Sequence, residues 1–132
     1  MTFFDKLIRY GMPFVPKPIV GRVARRYVAG ADIADAVRSI KELNAEGAVA
    51  TVDVLGEEIR DPSKAEASVA QYLTLLDTIE TEELDANVSI KPTMLGLKID
   101  EVMCRSHIET IVRRAAEYDN FVRIDMEDHT CT

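Results

Sequence analysis

Apolar residues recur every three to four positions through the first third of the chain, which is the spacing of one face of an α-helix. Each stretch with this spacing ends at a glycine, namely Gly11, Gly30 and Gly47. Thr2 and Asp5 have the spacing of a capping box, and Asp32 stands at the N-cap position of the third stretch. The pattern predicts a helical arm over residues 1–47, with three prolines between its first two helices.

From residue 48 onwards, short β-branched segments alternate with helical stretches. The short segments span residues 48–55, 86–91 and 121–127. Ser63 and Glu66 form a capping box for the helix after the first segment, and Asp100 caps the helix after the second. Because helical crossovers join parallel strands, almost always with a right-handed connection, this β-α-β-α-β order predicts a parallel sheet.

Side chains alternate between an apolar and a polar face along each predicted strand. The apolar face carries Val52, Val54, Val88, Ile90, Val122, Ile124 and Met126. The polar face carries Thr51, Asp53, Asn87, Ser89, Lys91, Arg123, Asp125 and Glu127. A doubly wound sheet has helices on both sides and should be apolar on both faces, so it fits this pattern less well. A polar face turned away from the helices predicts the lumen of a (βα)8 barrel of the TIM type.

Length limits how much of such a barrel is present. The chain has 132 residues, whereas a closed (βα)8 barrel takes ~250. We therefore expect an α/β fold in which residues 48–132 form the first three βα units of a TIM-type barrel, preceded by the N-terminal helices. On this interpretation the chain is a fragment that begins a barrel and does not close it.

Composition places the chain among cytoplasmic globular proteins. Apolar residues make up 47% and charged residues 30%, and no apolar run reaches the ~20 residues of a transmembrane helix. Two cysteines form no disulfide framework, and a net charge of −7 argues against nucleic acid as a partner. Residues 1–30 differ, with six basic groups and one acid. This basic stretch is either an arm on an acidic body or a helix on a membrane surface.

Ionisable side chains gather where the predicted strands end. Lys91 ends the second strand, Asp125 and Glu127 end the third, and Glu57 and Glu58 follow the first. Active sites of TIM-type barrels lie at the carboxyl ends of the strands. An ammonium among carboxylates there can bind a substrate carboxylate, hold a flavin oxygen or act as a base. The pattern fits equally a solvated ion pair worth about 0–1 kcal/mol, and both interpretations stay open.

Other candidate chemistry is weaker. His129 and Cys131 are two positions apart, but no second ligand pair accompanies them, so we expect no metal site. His107 is expected to be a plain surface histidine, and Cys104 a small buried apolar residue. No glycine-rich nucleotide fingerprint occurs, which excludes a Rossmann-type turn in this segment.

Three strand-end segments resemble a known family. They are DVLGE at 53–57, VSIKPT at 88–93 and VRIDMED at 122–128. In order and spacing these segments resemble the opening strands of bacterial, monofunctional proline dehydrogenase. The YVAG turn at 27–30 resembles the N-terminal part of the same family, so the resemblance extends over essentially the whole chain.

The resemblance implies a flavoenzyme of proline catabolism, an FAD-dependent (βα)8 barrel that oxidises L-proline to Δ1-pyrroline-5-carboxylate. Hydride would pass from the carbon next to the ring nitrogen to FAD, and electrons would pass on to a quinone in the membrane. This implies a cytoplasmic protein that can lie against the inner membrane without a transmembrane segment.

The resemblance also implies roles for three residues. Lys91 would be the active-site lysine that contacts both FAD and the substrate carboxylate. Asp125 would be a catalytic aspartate of the third strand that supports the substrate pocket and the cofactor. Glu57 would be the acid of the first strand that gates the site by pairing with a late arginine. Most FAD contacts and the arginines that clamp proline would lie beyond Thr132, so we expect this chain alone to be inactive.

Two alternatives remain at the level of the sequence. One is a stand-alone α/β binding or interaction module whose sheet edges pair with a partner chain. The other is a different barrel enzyme, such as an aldolase in which Lys91 forms a Schiff base. The second alternative requires the resemblance to be accidental.

Overall fold

A computed structural model of the protein describes residues 32–127. Within that range helices and strands alternate in the predicted order. The elements are α1 (Ile33–Ala45), β1 (Ala50–Asp53), α2 (Pro62–Thr81), β2 (Ala86–Ile90), a 3-10 turn (Pro92–Leu95), α3 (Glu101–Glu117) and β3 (Val122–Ile124). The chain divides after Ala36, and the unit Val37–Thr132 contains the sheet. Of the unit before it, residues 32–36 are described.

Two helices begin at the predicted aspartates. The Asp35 backbone N–H donates to Asp32 Oδ1 at 2.9 Å, and the Met103 backbone N–H donates to Asp100 Oδ1 at 2.6 Å. Each bond satisfies a donor that the first helical turn leaves without a partner in the helix. Gly47 follows α1 with φ +82°, as expected of its terminator. The helices predicted before residue 32 lie outside the described residues, so the boundary of the arm at residue 47 stays a prediction.

The start of α2 corrects the sequence analysis. Its N-cap is Asp61 rather than Ser63, and Asp61 Oδ1 accepts hydrogen bonds from both the backbone N–H and the hydroxyl of Ser63. Pro62 occupies the first helical position, where its missing N–H costs nothing. The Asp-Pro pair was therefore the correct signal for this helix, and the capping box at Ser63 and Glu66 was wrong.

The three strands of residues 32–127 form one parallel sheet in the order β1-β2-β3. One row across the sheet joins Val52, Val88 and Val122, and the adjacent row joins Asp53, Ser89 and Arg123. A shift of one residue would move apolar side chains to the polar face. In the observed register, the apolar side chains of neighbouring strands share one face of the sheet and the polar side chains share the other. The α/β class, the parallel sheet and the separation of apolar from polar rows are confirmed.

The apolar face of the central strand packs against α2 and α3. Val88 and Ile90 of β2 have no exposed surface, and Leu76 of α2 and Ile111 of α3 are at most 1% exposed. Burying a side chain of this size stabilises a fold by about 1.5–3 kcal/mol. The same face becomes more open at β3, where Ile124 is 48% exposed. No helix within residues 32–127 has the length and apolar character needed to cross a bilayer.

Tyr72 places a hydroxyl inside this core. Its OH donates to the Ser89 carbonyl at 2.9 Å and accepts from the Val54 backbone N–H at 3.4 Å. The residue has no exposed surface, and burial raises the pKa of Tyr72 to about 12. One bond goes to the backbone of β2 and the other to the backbone just after β1, so Tyr72 ties α2 to both segments.

Asp77 joins α2 to α3 at the surface. Its Oδ1 accepts from Arg114 Nη1 at 2.6 Å and from the Tyr118 hydroxyl at 2.8 Å. The two donors, Arg114 first, hold the pKa of Asp77 below its usual value of 3.8. Hydrogen bonds and a positive charge both favour the ionised carboxylate.

We expect Tyr72→Phe to lower the free energy of unfolding by about 1 kcal/mol near neutral pH, because backbone groups inside the sheet lose a hydrogen-bond partner. Urea unfolding of both proteins measures the difference. An unfolded tyrosine ionises near pH 10, whereas folded Tyr72 keeps its proton to about pH 12. The wild type therefore loses stability as pH rises from 10 towards 12, and the gap to the variant should narrow. A constant gap across that range would contradict the assignment.

We expect Asp77→Asn to lower the urea midpoint at pH 7, since the amide attracts Arg114 less than a carboxylate does. The pKa of folded Asp77 is below 3.8, so its contribution is complete above that pH and is lost as pH falls through the folded pKa. The midpoints of variant and wild type should therefore converge in acid. Glu80→Gln, the same chemical change on exposed α2 surface, is the matched control. An equal effect of both changes would show that the contact with α3 contributes nothing.

Candidate active site

The carboxyl ends of the strands surround a cavity of about 250 Å³. The three site residues proposed from the sequence all line it: Glu57 lies in the segment after β1, Lys91 follows β2 directly, and Asp125 follows β3 directly. Of residues 32–127, the lining consists of Glu57, Glu58, Lys91, Thr93, Asp125, Met126 and Glu127. Residues far apart in the chain therefore meet where a barrel of this type carries its chemistry.

Lys91 is the cation of the cavity. Its side chain is 17% exposed, and its Nζ lies 3.6 Å from Glu57 Oε1 and 3.8 Å from Asp53 Oδ2. Charge-assisted hydrogen bonds are shorter, about 2.7–2.9 Å. The carboxylates therefore balance the ammonium charge without binding its protons tightly. An ammonium in this state can donate hydrogen bonds to an acceptor that enters the cavity.

Asp125 is held beside Lys91 by the backbone. The Asp125 N–H donates to the Ile90 carbonyl at 2.9 Å, which extends the β2–β3 pairing one residue past the end of β3. The Asp125 side chain is exposed, so its carboxylate is accessible from the cavity. Glu57 lines the cavity with its Oε1 3.6 Å from Lys91 Nζ, and its expected pairing with a late arginine stays a prediction.

Thr93 is a site residue that sequence reasoning missed. It is 1% exposed, and its hydroxyl donates to Glu127 Oε1 at 2.5 Å while its backbone N–H donates to Glu127 Oε2 at 3.0 Å. Glu127 lies at the cavity as its predicted place on the polar face implied, but β3 ends at Ile124, and Met126, which was predicted on the apolar face, lines the cavity as well. Thr93 lies in the 3-10 turn Pro92–Leu95, which no pattern in the sequence predicted.

The cavity is rich in negative charge. The part of the chain that the structure describes contributes four carboxylates and one ammonium to the lining, and Lys98 Nζ pairs with Glu58 Oε1 at 2.7 Å from outside the lining. A substrate carboxylate therefore needs cations besides Lys91, whereas an amine finds several acceptors. Among residues 32–127 no group of three or more His, Cys, Asp or Glu side chains is arranged to hold a metal ion.

Two weaker candidates have structural roles. His107 is half-buried rather than on the surface, a correction to the sequence analysis, and its Nδ1 lies 2.9 Å from the Leu95 carbonyl oxygen. Cys104 is buried as expected, its thiol donates to the Pro92 carbonyl at 3.5 Å, and burial raises its pKa. Both residues attach α3 to the 3-10 turn. His129 and Cys131 lie outside the described residues.

Comparison with known proteins places this geometry in a family. A family model described as proline dehydrogenase matches residues 36–132. The chain is 37% identical over 107 residues to proline dehydrogenase 1 of Bacillus subtilis subsp. natto, covering 81% of this chain and 35% of that protein. It is 32% identical over 111 residues to proline dehydrogenase of Deinococcus radiodurans, covering 82% of this chain and 36% of that protein. The chain thus spans about a third of the length of the curated relatives it matches.

A solved structure has the same fold. Proline utilization A from Bdellovibrio bacteriovorus, inactivated by N-propargylglycine, matches 78% of this chain and 13% of its own with a TM-score of 0.71. The sequences are 21% identical, so this likeness supports the fold alone. The expected fold class, the opening part of a TIM-type barrel, is confirmed. Because the family model matches well over half of the chain, this protein belongs to the proline dehydrogenase family.

Proposed function

We propose that this chain provides the first strand-end residues of the active site of an FAD-dependent proline dehydrogenase, which oxidises L-proline to Δ1-pyrroline-5-carboxylate. The observation that carries the proposal is the meeting of Lys91, Glu57 and Asp125 in one cavity of a chain that belongs to this family. Neither the stand-alone module nor the Schiff-base aldolase has comparable support.

Lys91 is the residue to which we assign contact with the substrate carboxylate and with FAD. A partly buried ammonium strengthens its hydrogen bonds to anionic oxygens, because little water competes with them. Asp53 and Glu57 lie near enough to attract its ammonium, at 3.8 and 3.6 Å, but too far to occupy its hydrogen-bond donors. An entering carboxylate could therefore take the place of a distant ion-pair partner at little cost.

Asp125 and Glu57 are the acids that we assign to the pocket. Asp125 would support the substrate and the cofactor from β3, where its backbone is fixed and its carboxylate exposed. Glu57 would gate the site by exchanging Lys91 for a late arginine. The excess of carboxylates in the lining agrees with a site in which further cations bind the substrate carboxylate.

The donor set of the cavity fits one part of FAD. The Lys91 ammonium suits an electron-rich flavin oxygen, and most other contacts to FAD would come from residues beyond this chain. When bound, FAD would supply the acceptor for the hydride that leaves proline.

We further propose that a quinone at the membrane surface receives the electrons. We also propose that residues 1–47 form a helical arm that precedes the barrel portion, residues 48–132, in the sequence.

The activity is tested with the protein expressed from its complete reading frame. We expect a yellow protein that contains FAD and reduces an artificial electron acceptor when given L-proline. D-proline and L-lysine serve as control substrates, because the first inverts the stereocentre and the second lacks the ring. A colourless protein, or one that reduces the acceptor equally with all three compounds, would refute the proposed function.

We expect Lys91→Met to lower kcat/KM for L-proline by about 100-fold, the usual effect of removing one preorganised donor. Methionine keeps most of the side-chain volume and removes the charge. Lys41→Met is the matched control, since Lys41 lies on α1, away from the cavity lining, and forms an exposed ion pair with Glu82 at the end of α2. Steady-state kinetics on both variants decide the role: wild-type turnover in Lys91→Met would exclude it.

A further inference from the structure

Thr93 and Glu127 form the most tightly bonded contact of the cavity. Both carboxylate oxygens of Glu127 accept from Thr93, one from the hydroxyl at 2.5 Å and one from the backbone N–H at 3.0 Å. The threonine is 1% exposed, so little water competes for the two donors that Glu127 accepts from. This contact, called here the Thr93–Glu127 pair, joins the segment after β2 to the segment after β3.

Thr93 also fixes the segment after β1. Its hydroxyl oxygen accepts from the Glu58 backbone N–H at 3.1 Å, and its carbonyl accepts from the Ile59 N–H at 3.1 Å. Glu58 has φ +51°, a left-handed conformation that is uncommon for residues other than glycine. Such a conformation persists where surrounding contacts enforce it. One threonine therefore connects all three strand-end segments, including the one that carries Glu57.

Lys91 depends on this arrangement for its position. It lies two residues before Thr93, and its carbonyl accepts from the Met94 N–H at 3.0 Å. Among residues 32–127, the ion-pair contacts of its ammonium are long, 3.6 Å to Glu57 and 3.8 Å to Asp53. Since these contacts do not fix the side chain tightly, the backbone at residues 91–94 sets where the ammonium can reach. The carboxylate of Glu127 holds that backbone through Thr93.

We propose that Thr93 and Glu127 are positioning residues that place the Lys91 ammonium for catalysis. The inference rests on the proposed function, because it concerns the same cavity. Neither residue needs to touch proline: the hydroxyl of Thr93 is already bonded to Glu127 and Glu58. Displacing a reacting or binding group by about 1 Å can lower an enzyme's rate by 100-fold, so a contact that fixes Lys91 has kinetic consequences.

Four variants test the role in the complete protein. Thr93→Val keeps the side-chain shape and removes the hydroxyl, whereas Thr93→Ser keeps the hydroxyl. Glu127→Gln keeps one accepting oxygen and provides a second route if Thr93→Val does not fold. The fourth combines Thr93→Val with Lys91→Met. Rates are expressed per bound FAD, so that loss of folded protein does not appear as loss of catalysis.

We expect Thr93→Val and Glu127→Gln to lower kcat for L-proline about tenfold or more, and Thr93→Ser to stay within about twofold of wild type. A role confined to stability would lower the melting temperature and leave kcat per FAD unchanged. If Thr93 acts through Lys91, Thr93→Val should cost less than about twofold when Lys91 is already methionine. A full tenfold loss in that background, or wild-type kcat in Thr93→Val, would overturn the proposal.

A chemical measurement separates this inference from the proposed function. A limiting acetylating reagent modifies Lys91 at a rate that depends on the position and accessibility of its amine, and this measurement needs no turnover. Peptide mass spectrometry gives that rate relative to the rate at exposed Lys41. We expect at least a threefold change in Thr93→Val and none in Thr93→Ser. If the wild type does not oxidise proline but this contrast appears, the proposed function fails and the positioning role stands. An active wild type with unchanged acetylation and unchanged kcat in Thr93→Val refutes the positioning role alone.

Discussion

The parallel pairing of β2 with a strand on each side is the constraint on which the rest of the structure depends. Because side chains alternate along each strand, the register that sets Val52 beside Val88 and Val122 also sets Asp53 beside Ser89 and Arg123. The apolar face packs against α2 and α3, which completely bury Val88 and Ile90 of β2. The polar face continues to the carboxyl ends of the strands. The three segments that follow the strands begin at this same edge of the sheet. Without that register no cavity with this lining would exist.

The negative charges that line the cavity outnumber the positive ones, so the cavity affects anionic and cationic ligands differently. A single ammonium lies among four carboxylates, so an anionic group meets one favourable contact and several unfavourable ones. The site described here is therefore only part of what a carboxylate substrate requires. The chain's coverage of about a third of its curated relatives agrees with that limit. The proposed roles of Lys91, Asp125 and Glu57 concern the contribution of this part alone.

Hydrogen bonds, rather than ion pairs, determine the rigidity of the site. The contacts of Lys91 to carboxylates are long and leave its ammonium adjustable, whereas every contact of Thr93 described above is at hydrogen-bond distance. A site built in this way can hold the backbone still while a charged side chain changes partners. Tyr72 acts similarly from beneath the sheet, since its buried hydroxyl bonds to backbone groups next to β1 and in β2.

The sequence by itself determined the order of elements in residues 32–127, the two faces of the sheet and the family, because hydrophobic period, capping aspartates and strand-end motifs are local signals. It also placed Lys91, Asp125 and Glu57 at strand ends that had to meet. Only the tertiary structure decided the partners. The half-burial of His107 and the role of Thr93 depend on which chain segments lie against each other, whereas the Asp61 cap is a local contact that the Asp-Pro pair signals. Such contacts join residues that are distant in the sequence, and no local pattern encodes them. Thr93 and Glu127, for example, are 34 positions apart.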